Sequence, residues 1–245
     1  MQFDRALIEA VLIKRYKRFL ADVTLENGEV VTAHTPNTGS MKGCSEPGCR
    51  VWLLNSENPK RKYPLGWELI EVKADVLVGI NTHLSNKLVR EAIENGVINE
   101  LQAYETIRTE VPYGAEKSRI DLLLQQGEQP DCYVEVKNVT WVEEGIAYFP
   151  DAVSVRGQKH LRELMAQVEL GFRAVLVFCL QRNDATEVRP ADQVDPEYGR
   201  LLRHAMAVGV EVLAYQADPT PEGISLSHAV PVVAGVESTF HDPWC

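Results

Sequence analysis

The first third of the chain alternates apolar and polar residues at the two-residue period of half-buried strands. Ala10 to Asp22 reads as one alternating strand. Val23-Thr24-Leu25 then leads to the hairpin signal Glu26-Asn27-Gly28-Glu29 and a second run, Val30-Val31-Thr32-Ala33. Two turn-rich loops follow, Thr35-Pro36-Asn37-Thr38-Gly39-Ser40 and Ser45-Glu46-Pro47-Gly48, before the strands Val51 to Leu54 and Trp67 to Val72. About five short strands with little helix predict a small barrel of OB type over residues 1–80. From about Asn81 the period changes. Leu84, Leu88, Val89, Ala92 and Ile93 fall at helical spacing with Gly96 as the stop, and strands are expected near 104–112, 118–126 and 131–140. Arg156 to Leu170 reads as a helix ended by Gly171, Arg173 to Leu180 as an apolar strand, and Asp195-Pro196 as the capped start of a helix running to Gly209. Val210 to Tyr215 is the last predicted strand. The segment after Asp218, with Pro219, Pro221, Pro231 and Pro243, is expected to pack locally or loosely. The fold class is therefore a two-domain α+β and α/β arrangement, with residues 81–245 forming a mixed sheet flanked by helices.

Composition adds class and compartment. The 245 residues are 45% hydrophobic and 24% charged, enough apolar material for one large or two small cores. The sequence has neither a membrane-length apolar run nor a signal peptide, so a cytoplasmic protein without membrane contact is expected. Cys44, Cys49, Cys132, Cys179 and Cys245 form neither a CxxC pair nor a zinc set, which argues against both a disulfide framework and zinc. The net charge of −10 disfavours nucleic acid when taken whole, but it is unevenly spread. Residues 1–82 hold 11 Lys and Arg against 10 Asp and Glu, whereas the remainder holds 14 against 25.

The candidate chemistry lies in two apolar runs, Ser118 to Leu124 and Cys132 to Val139, which carry Asp121, Glu135 and Lys137. Acids are poor choices on strands buried on both faces, because an unpaired buried charge is costly. Glu135 and Lys137 share a face, Val136 turns away, and pairing of the runs would bring Asp121 beside Glu135. Two carboxylates suit a hard cation such as Mg²⁺, and the ammonium suits a water or a phosphate, which points to phosphodiester cleavage. The alternative is a solvent-facing cross-strand ion pair. Lys14, Arg15, Tyr16, Lys17, Arg18 and Phe19 combine stacking faces with cations, and Lys60, Arg61 and Lys62 extend the basic character. On an alternating strand Lys14, Tyr16 and Arg18 would share one face, with Arg15, Lys17 and Phe19 on the other, so one face is the partner surface; a barrel strand with a basic exterior is the plainer reading. Arg156, Lys159 and His160 crowd a helix start, where a bound phosphate would relieve the unfavourable placement and Gln158 would touch water or substrate. Three solvated side chains are the alternative there. His34 and Asn37 serve as ligand contacts or, for Asn37, as a turn stabiliser.

Lys14 to Val23, the loop His34 to Met41, Ser118-Arg119-Ile120-Asp121, Glu135-Val136-Lys137, and Phe149 to Ser154 followed by Arg156 to Leu161 together resemble the sugar fermentation stimulation protein A family of bacteria and archaea. The resemblance extends to about Tyr215. It implies an OB-fold joined to a domain of PD-(D/E)xK nuclease type, DNA binding, and a link to regulation of sugar, notably maltose, metabolism. The nuclease pattern carries over onto Asp121, Glu135 and Lys137, with Ile120 where the pattern has Pro. It implies that Asp121, Glu135 and the Val136 carbonyl ligate Mg²⁺ or Mn²⁺, with Lys137 beside the attacking water. A fourth catalytic group is expected from the preceding helix: Glu91 is the choice, with Glu105 and Glu110 as rivals and a surface pair with Lys87 as its alternative role. The partner is then DNA, or RNA, bound with little sequence preference. A non-catalytic DNA-binding regulator and a small-molecule or nucleotide hydrolase are the rival classes.

Overall fold

A computed structural model describes residues 1–235. The N-terminal unit contains β1 (Ile8–Tyr16), β2 (Leu20–Leu25), β3 (Val30–His34), β4 (Arg50–Asn55), β5 (Leu65–Lys73) and β6 (Val76–Gly79). Their order is β3-β2-β1-β4-β5-β6, and a parallel contact of His34 with Gly66 joins β3 to β5 and closes a five-stranded barrel. Leu12, Val23, Ala33, Val51, Leu53, Trp67 and Ile70 fill it, while Val11 and Ile13 of the same alternating strand face outward. The expected Asn-Gly hairpin is present, with Gly28 at φ 83°.

The single strand expected from Ala10 to Asp22 is two strands. Lys17 and Arg18 adopt positive φ, 49° and 64°, and turn the chain so that Tyr16 pairs with Leu20. Lys14 and Tyr16 do share one face of β1, both reaching Asp22, but the alternation ends there. Lys17, Arg18 and Phe19 form the tip of a hairpin instead.

The second unit contains α1 (Ser85–Glu94), β7 (Tyr104–Tyr113), β8 (Ser118–Gly127), β9 (Cys132–Val139), β10 (Val142–Glu143), β11 (Ile146–Phe149), α2 (Val155–Glu169), β12 (Arg173–Leu180), β13 (Glu187–Pro190), α3 (Pro196–Val208), β14 (Glu211–Thr220) and β15 (Gly223–Ala229). The main sheet runs β15-β14-β12-β9-β8-β7, parallel through β9, β12 and β14 and antiparallel elsewhere. β10, β11 and β13 make a small sheet that the periodicity did not announce. The helix signals act as read: the Asp195 carboxylate accepts from Tyr198 N–H at 3.0 Å, Pro196 opens α3, and Gly209 ends it in the left-handed region. Up to residue 235 the segment after Asp218 packs on the sheet: β14 continues through Pro219, past its last pair with β12 (Leu180 with Gln216) so that no ladder bond to that neighbour is lost, and the chain folds back as the edge strand β15. Pro243 and Cys245 lie outside the described residues. Cys44, Cys49, Cys132 and Cys179 are free thiols, and no described helix is long and apolar enough to cross a membrane.

α2 and α3 cover one face of the sheet. α1 covers the other, in a core shared with Trp52 and Leu69 from the outside of the barrel. Polar contacts complete the junction. Gly79 N–H donates to the Gln181 carbonyl at 2.7 Å, and the Gln181 amide donates to the Asn81 carbonyl and to Asn138. Arg182, 4% exposed, donates to the Thr140 carbonyl at 2.5 Å and pairs with Asp184 through both carboxylate oxygens. Truncating Arg182 leaves the buried Thr140 carbonyl only the weak Cys44 thiol donor at 3.4 Å and strips Asp184 of its closest cation. Arg182→Ala is expected to cost about 3–5 kcal/mol in urea unfolding, against less than about 0.5 kcal/mol for Lys17→Ala at the exposed hairpin tip.

Candidate active site

β9 is the centre of the site because it is the centre of the sheet. The β8–β9 ladder pairs Leu122 with Val134 and extends no further among the described pairs; continuing its register by one residue sets Asp121 opposite Glu135. In place of a ladder bond, Asp121 Oδ2 accepts from the Val136 N–H at 2.7 Å, and Oδ1 accepts from the Asn86 side-chain amide of α1 at 2.8 Å. Glu135 is 1% exposed. Its Oε1 takes Lys137 Nζ at 2.5 Å and also contacts His160 Nδ1 from α2. His160 Nε2 accepts from Arg156 Nε at 3.3 Å, and its Nδ1 sits between Glu135 Oε1 and Lys137 Nζ, 3.1 Å from the latter. The other oxygen, Glu135 Oε2, is buried and has no hydrogen-bond partner among the described residues.

The electrostatics follow from that geometry. Burial opposes the charge on Glu135, but the Lys137 ammonium and the His160 contact outweigh it and hold the carboxyl below its ordinary value. Asp121 is pushed up to about 6, first by burial and then by the Glu135 charge, against the opposing pull of the Val136 and Asn86 hydrogen bonds. Two carboxylates face each other, one oxygen is unmet, and one acid is reluctant to ionise. A hard cation answers all three conditions, so the residues present fit one, with Asp121 and Glu135 Oε2 to hold it. No third His, Cys, Asp or Glu among the described residues joins them. The Val136 carbonyl remains the candidate for the next position, together with water or substrate oxygens.

Against this geometry, known proteins can be placed. The sugar fermentation stimulation protein RE domain family matches residues 83–223, and the SfsA N-terminal OB domain family matches residues 13–80. A sugar fermentation stimulation protein homolog of Pseudoalteromonas atlantica is 55% identical over 95% of this chain and 100% of its own length. One from Geotalea uraniireducens is 61% identical over 93% of this chain and 97% of its own. The chain belongs to the sugar fermentation stimulation protein family. Among solved structures, SfsA of Pyrococcus furiosus in complex with Ca²⁺ superposes with a TM-score of 0.84 at 26% identity, covering 95% of this chain and 98% of that one. The OB barrel and the mixed-sheet second domain are thus the architecture of the family.

Within this family member, several expected site residues are placed elsewhere. Glu91 does not reach the sheet end: its carboxylate pairs with the Met1 amino group at 2.9 Å, and α1 offers Asn86 to the site instead. Glu110 sits on the edge strand β7 at positive φ, its carbonyl accepting from Arg119. Arg15 is engaged within the barrel. Its guanidinium donates to the carbonyls of Arg18, Asn37, Gly39 and Ser40 and so ties the 37–40 loop to the barrel. Lys14 and Tyr16 both turn to Asp22, at 3.6 and 2.9 Å. The start of α2 is already capped by Ser154. Gln158 donates to Asp195, and Lys159 to the Glu116 carbonyl, so of the residues crowding this helix start Arg156 and His160 face the site.

What stays open is a surface at one end of the barrel. Lys17, Arg18 and Phe19 at the β1–β2 tip, and Lys60, Arg61 and Lys62 in the β4–β5 loop, are exposed, and none of these five cations forms an ion pair among the described residues. These are the two loops by which OB barrels hold oligonucleotides. His34 lies between them, 6.3 Å from the Phe19 ring, and burial with the nearby Arg61 and His83 charges lowers its pKa. Sequence reasoning missed Asn86 and the contact of His160 with Glu135. The second was detectable, because His160 falls on the buried stripe of α2 with Gly157, Leu161 and Leu164.

The charge balance makes cation binding pH-dependent. Asp121 must be ionised to ligate, so Mn²⁺ at about 100 times its Kd is expected to stabilise the protein by about 2.7 kcal/mol above pH 7. That gain fades as pH falls through about 6 and is absent in Glu135→Gln. In the metal-free protein the sign reverses. Asp121 is the weaker acid when folded, so its ionisation withdraws stability as pH climbs from about 4 through about 6. Thermal melts with and without Mn²⁺ from pH 5 to 8 (a range spanning the ordinary carboxylate-to-neutral window) read both effects.

Proposed function

We propose that this protein is a metal-dependent nuclease of the cytosol, which grips nucleic acid through its OB barrel with little sequence preference and hydrolyses phosphodiesters at Asp121, Glu135 and Lys137. The observation that carries the reading is the unmet, buried Glu135 Oε2 beside Asp121, with an ammonium 2.5 Å from the other oxygen of the same carboxylate. Asp121, Glu135 and the Val136 carbonyl would hold Mg²⁺ or Mn²⁺. The Ca²⁺ in the Pyrococcus relative is a cation of the same oxygen-seeking class. When bound, the ion offsets charge growing on the phosphoryl oxygens and makes a water more acidic.

The remaining roles belong to the chain itself. Lys137 Nζ, fixed by Glu135, positions the attacking water against phosphorus. His160 and Arg156 lock the Glu135 carboxylate so that Oε2 points away from them. The new P–O bond forms from water, the ester bond to the departing sugar oxygen breaks, and that oxygen leaves with a proton. Lys17, Arg18, Lys60, Arg61 and Lys62 supply phosphate contacts, and Phe19 supplies a stacking face.

One observation favours a second reading, that of a non-catalytic DNA-binding regulator of carbohydrate metabolism. Residues 83–245 carry 14 Lys and Arg against 25 Asp and Glu, which repels a polyanion and leaves binding to the barrel.

The deciding assay is cleavage of labelled DNA and RNA with Mg²⁺, Mn²⁺ or EDTA. Metal-dependent cutting that falls at least about 100-fold in Glu135→Ala and in Lys137→Ala is expected. Salt-sensitive binding with no cutting in any metal would transfer the case to the regulator. For the barrel, replacing Lys17 and Arg18 by alanine is expected to weaken binding of all sequences alike. It should also reduce the slope of log K against log salt by about 1–2, measured by anisotropy titration.

A further inference from the structure

Directly beyond Lys137 on β9, the two domains leave a crevice of about 60 Å³, several times the ~10–15 Å³ that one water requires. The barrel side gives it Asn37 and the linker gives Thr82; the second domain gives Asn138, Trp141, Tyr148 and Asp151. It lies at the carboxyl ends of the parallel strands β9 and β12, where open α/β sheets bind their ligands.

Besides the buried Trp141 Nε1, which has no hydrogen-bond partner among the described residues, polar atoms of Asn37, Asn138 and Asp151 around it are unused. Asn37 is only 5% exposed, and its Oδ1 accepts from Gly39 N–H at 2.8 Å, yet its Nδ2 has no hydrogen-bond partner among the described residues. Asn138 Oδ1 accepts from Ser85 and Gln181, leaving its Nδ2 without a partner there as well. Asp151 Oδ2 accepts from Ser40 Oγ and Met41 N–H, while Oδ1 accepts from nothing among these residues. Two amide donors and one carboxylate acceptor, set against the rings of Trp141 and Tyr148, which meet at a tilt with centroids 5.0 Å apart while Lys42 covers the Trp141 ring at 3.8 Å, form a polar edge beside an aromatic wall.

We propose that the mouth of this crevice receives the hydrogen-bonding edge of an unpaired nucleobase of the substrate strand, its ring staying outside, so that the protein acts on single strands. This rests on the reading of the protein as a nucleic-acid-cleaving enzyme and names its substrate form. A base edge carries donors and acceptors side by side, the complement of Asn37, Asn138 and Asp151. In a duplex that edge is consumed by pairing and the base is held in the stack; in a single strand both its face and its edge are free. Phe19 lies 6.3 Å from His34, and Asn37 stands three residues further along the same chain. Glu135 and His160 are only 1% and 4% exposed, and a flexible single strand follows such a recess more readily than a stiff duplex.

The test is anisotropy of a short labelled single strand, the same strand with abasic sites, and the matched duplex, all in Ca²⁺. The wild type is compared with Asn138→Asp and Asn37→Asp, which keep the Oδ1 contacts and exchange only the free donor for an acceptor. The wild type is expected to prefer the intact strand over both others by about tenfold or more, and each variant to lose most of its preference over the abasic strand. Because each comparison is made within one protein, a general change in charge cancels. Duplex bound as tightly as single strand, or a base preference intact in both variants, would overturn the proposal. Base-selective binding without cleavage in Mn²⁺ would sink the nuclease reading and leave this one standing; cleavage of duplex and single strand alike would do the reverse.

Discussion

A charged carboxylate at the middle of a six-stranded sheet must be compensated, and much of the second domain is arranged around that demand. Glu135 lies on the central strand β9, flanked by β8 and β12, and its burial would push it toward the neutral form. Lys137, two residues on and therefore on the same face, supplies one answer; α2 supplies the other by directing His160 to the same oxygen. Both compensations fall on Oε1. The arrangement thereby leaves Oε2 bare next to a second acid that is itself reluctant to ionise. An uncompensated pair of this kind has little use as a brace and a direct use as a cation seat.

The barrel is joined to this site by more than a linker. Arg15 spends its guanidinium on four backbone carbonyls, which shapes the 37–40 loop. That loop in turn meets Asp151 of the second domain through Ser40 and Met41. Gln181 and Arg182, at the end of β12, hold the linker and Thr140 from the other side. The basic loops of the barrel and the carboxylates of the sheet are therefore fixed relative to each other by polar contacts.

Much of this was legible in the sequence, and the limits are physical ones. The strands carrying Asp121 and Glu135 declared themselves because acids interrupt otherwise apolar runs, and helix ends were marked by Asp195, Pro196, Gly171 and Gly209. Alternation could not show that Lys17 and Arg18 break the first strand, since no glycine marks the left-handed turn they make. Nor could residue type separate Arg15, a structural clamp, from Arg18, an exposed cation three positions away. Glu91 satisfied the helical spacing of a fourth ligand, but its position on α1 faces the N-terminus; the shorter Asn86, a turn earlier, meets Asp121. β15 escaped notice because Pro219 and Pro221 suggested irregular chain, whereas Pro219 lies past the β12 ladder and Pro221 falls in the turn before β15.

The account turns on whether Glu135 Oε2 and Asp121 share a cation. Anomalous diffraction from crystals soaked in Mn²⁺ at pH 8, above the titration of Asp121 at about 6, measures this directly. The account predicts one Mn²⁺ within about 2.0–2.3 Å of an Asp121 oxygen and of Glu135 Oε2, absent from crystals of Glu135→Gln. A map with no anomalous density at this position, or with the ion bound by other residues, would contradict it.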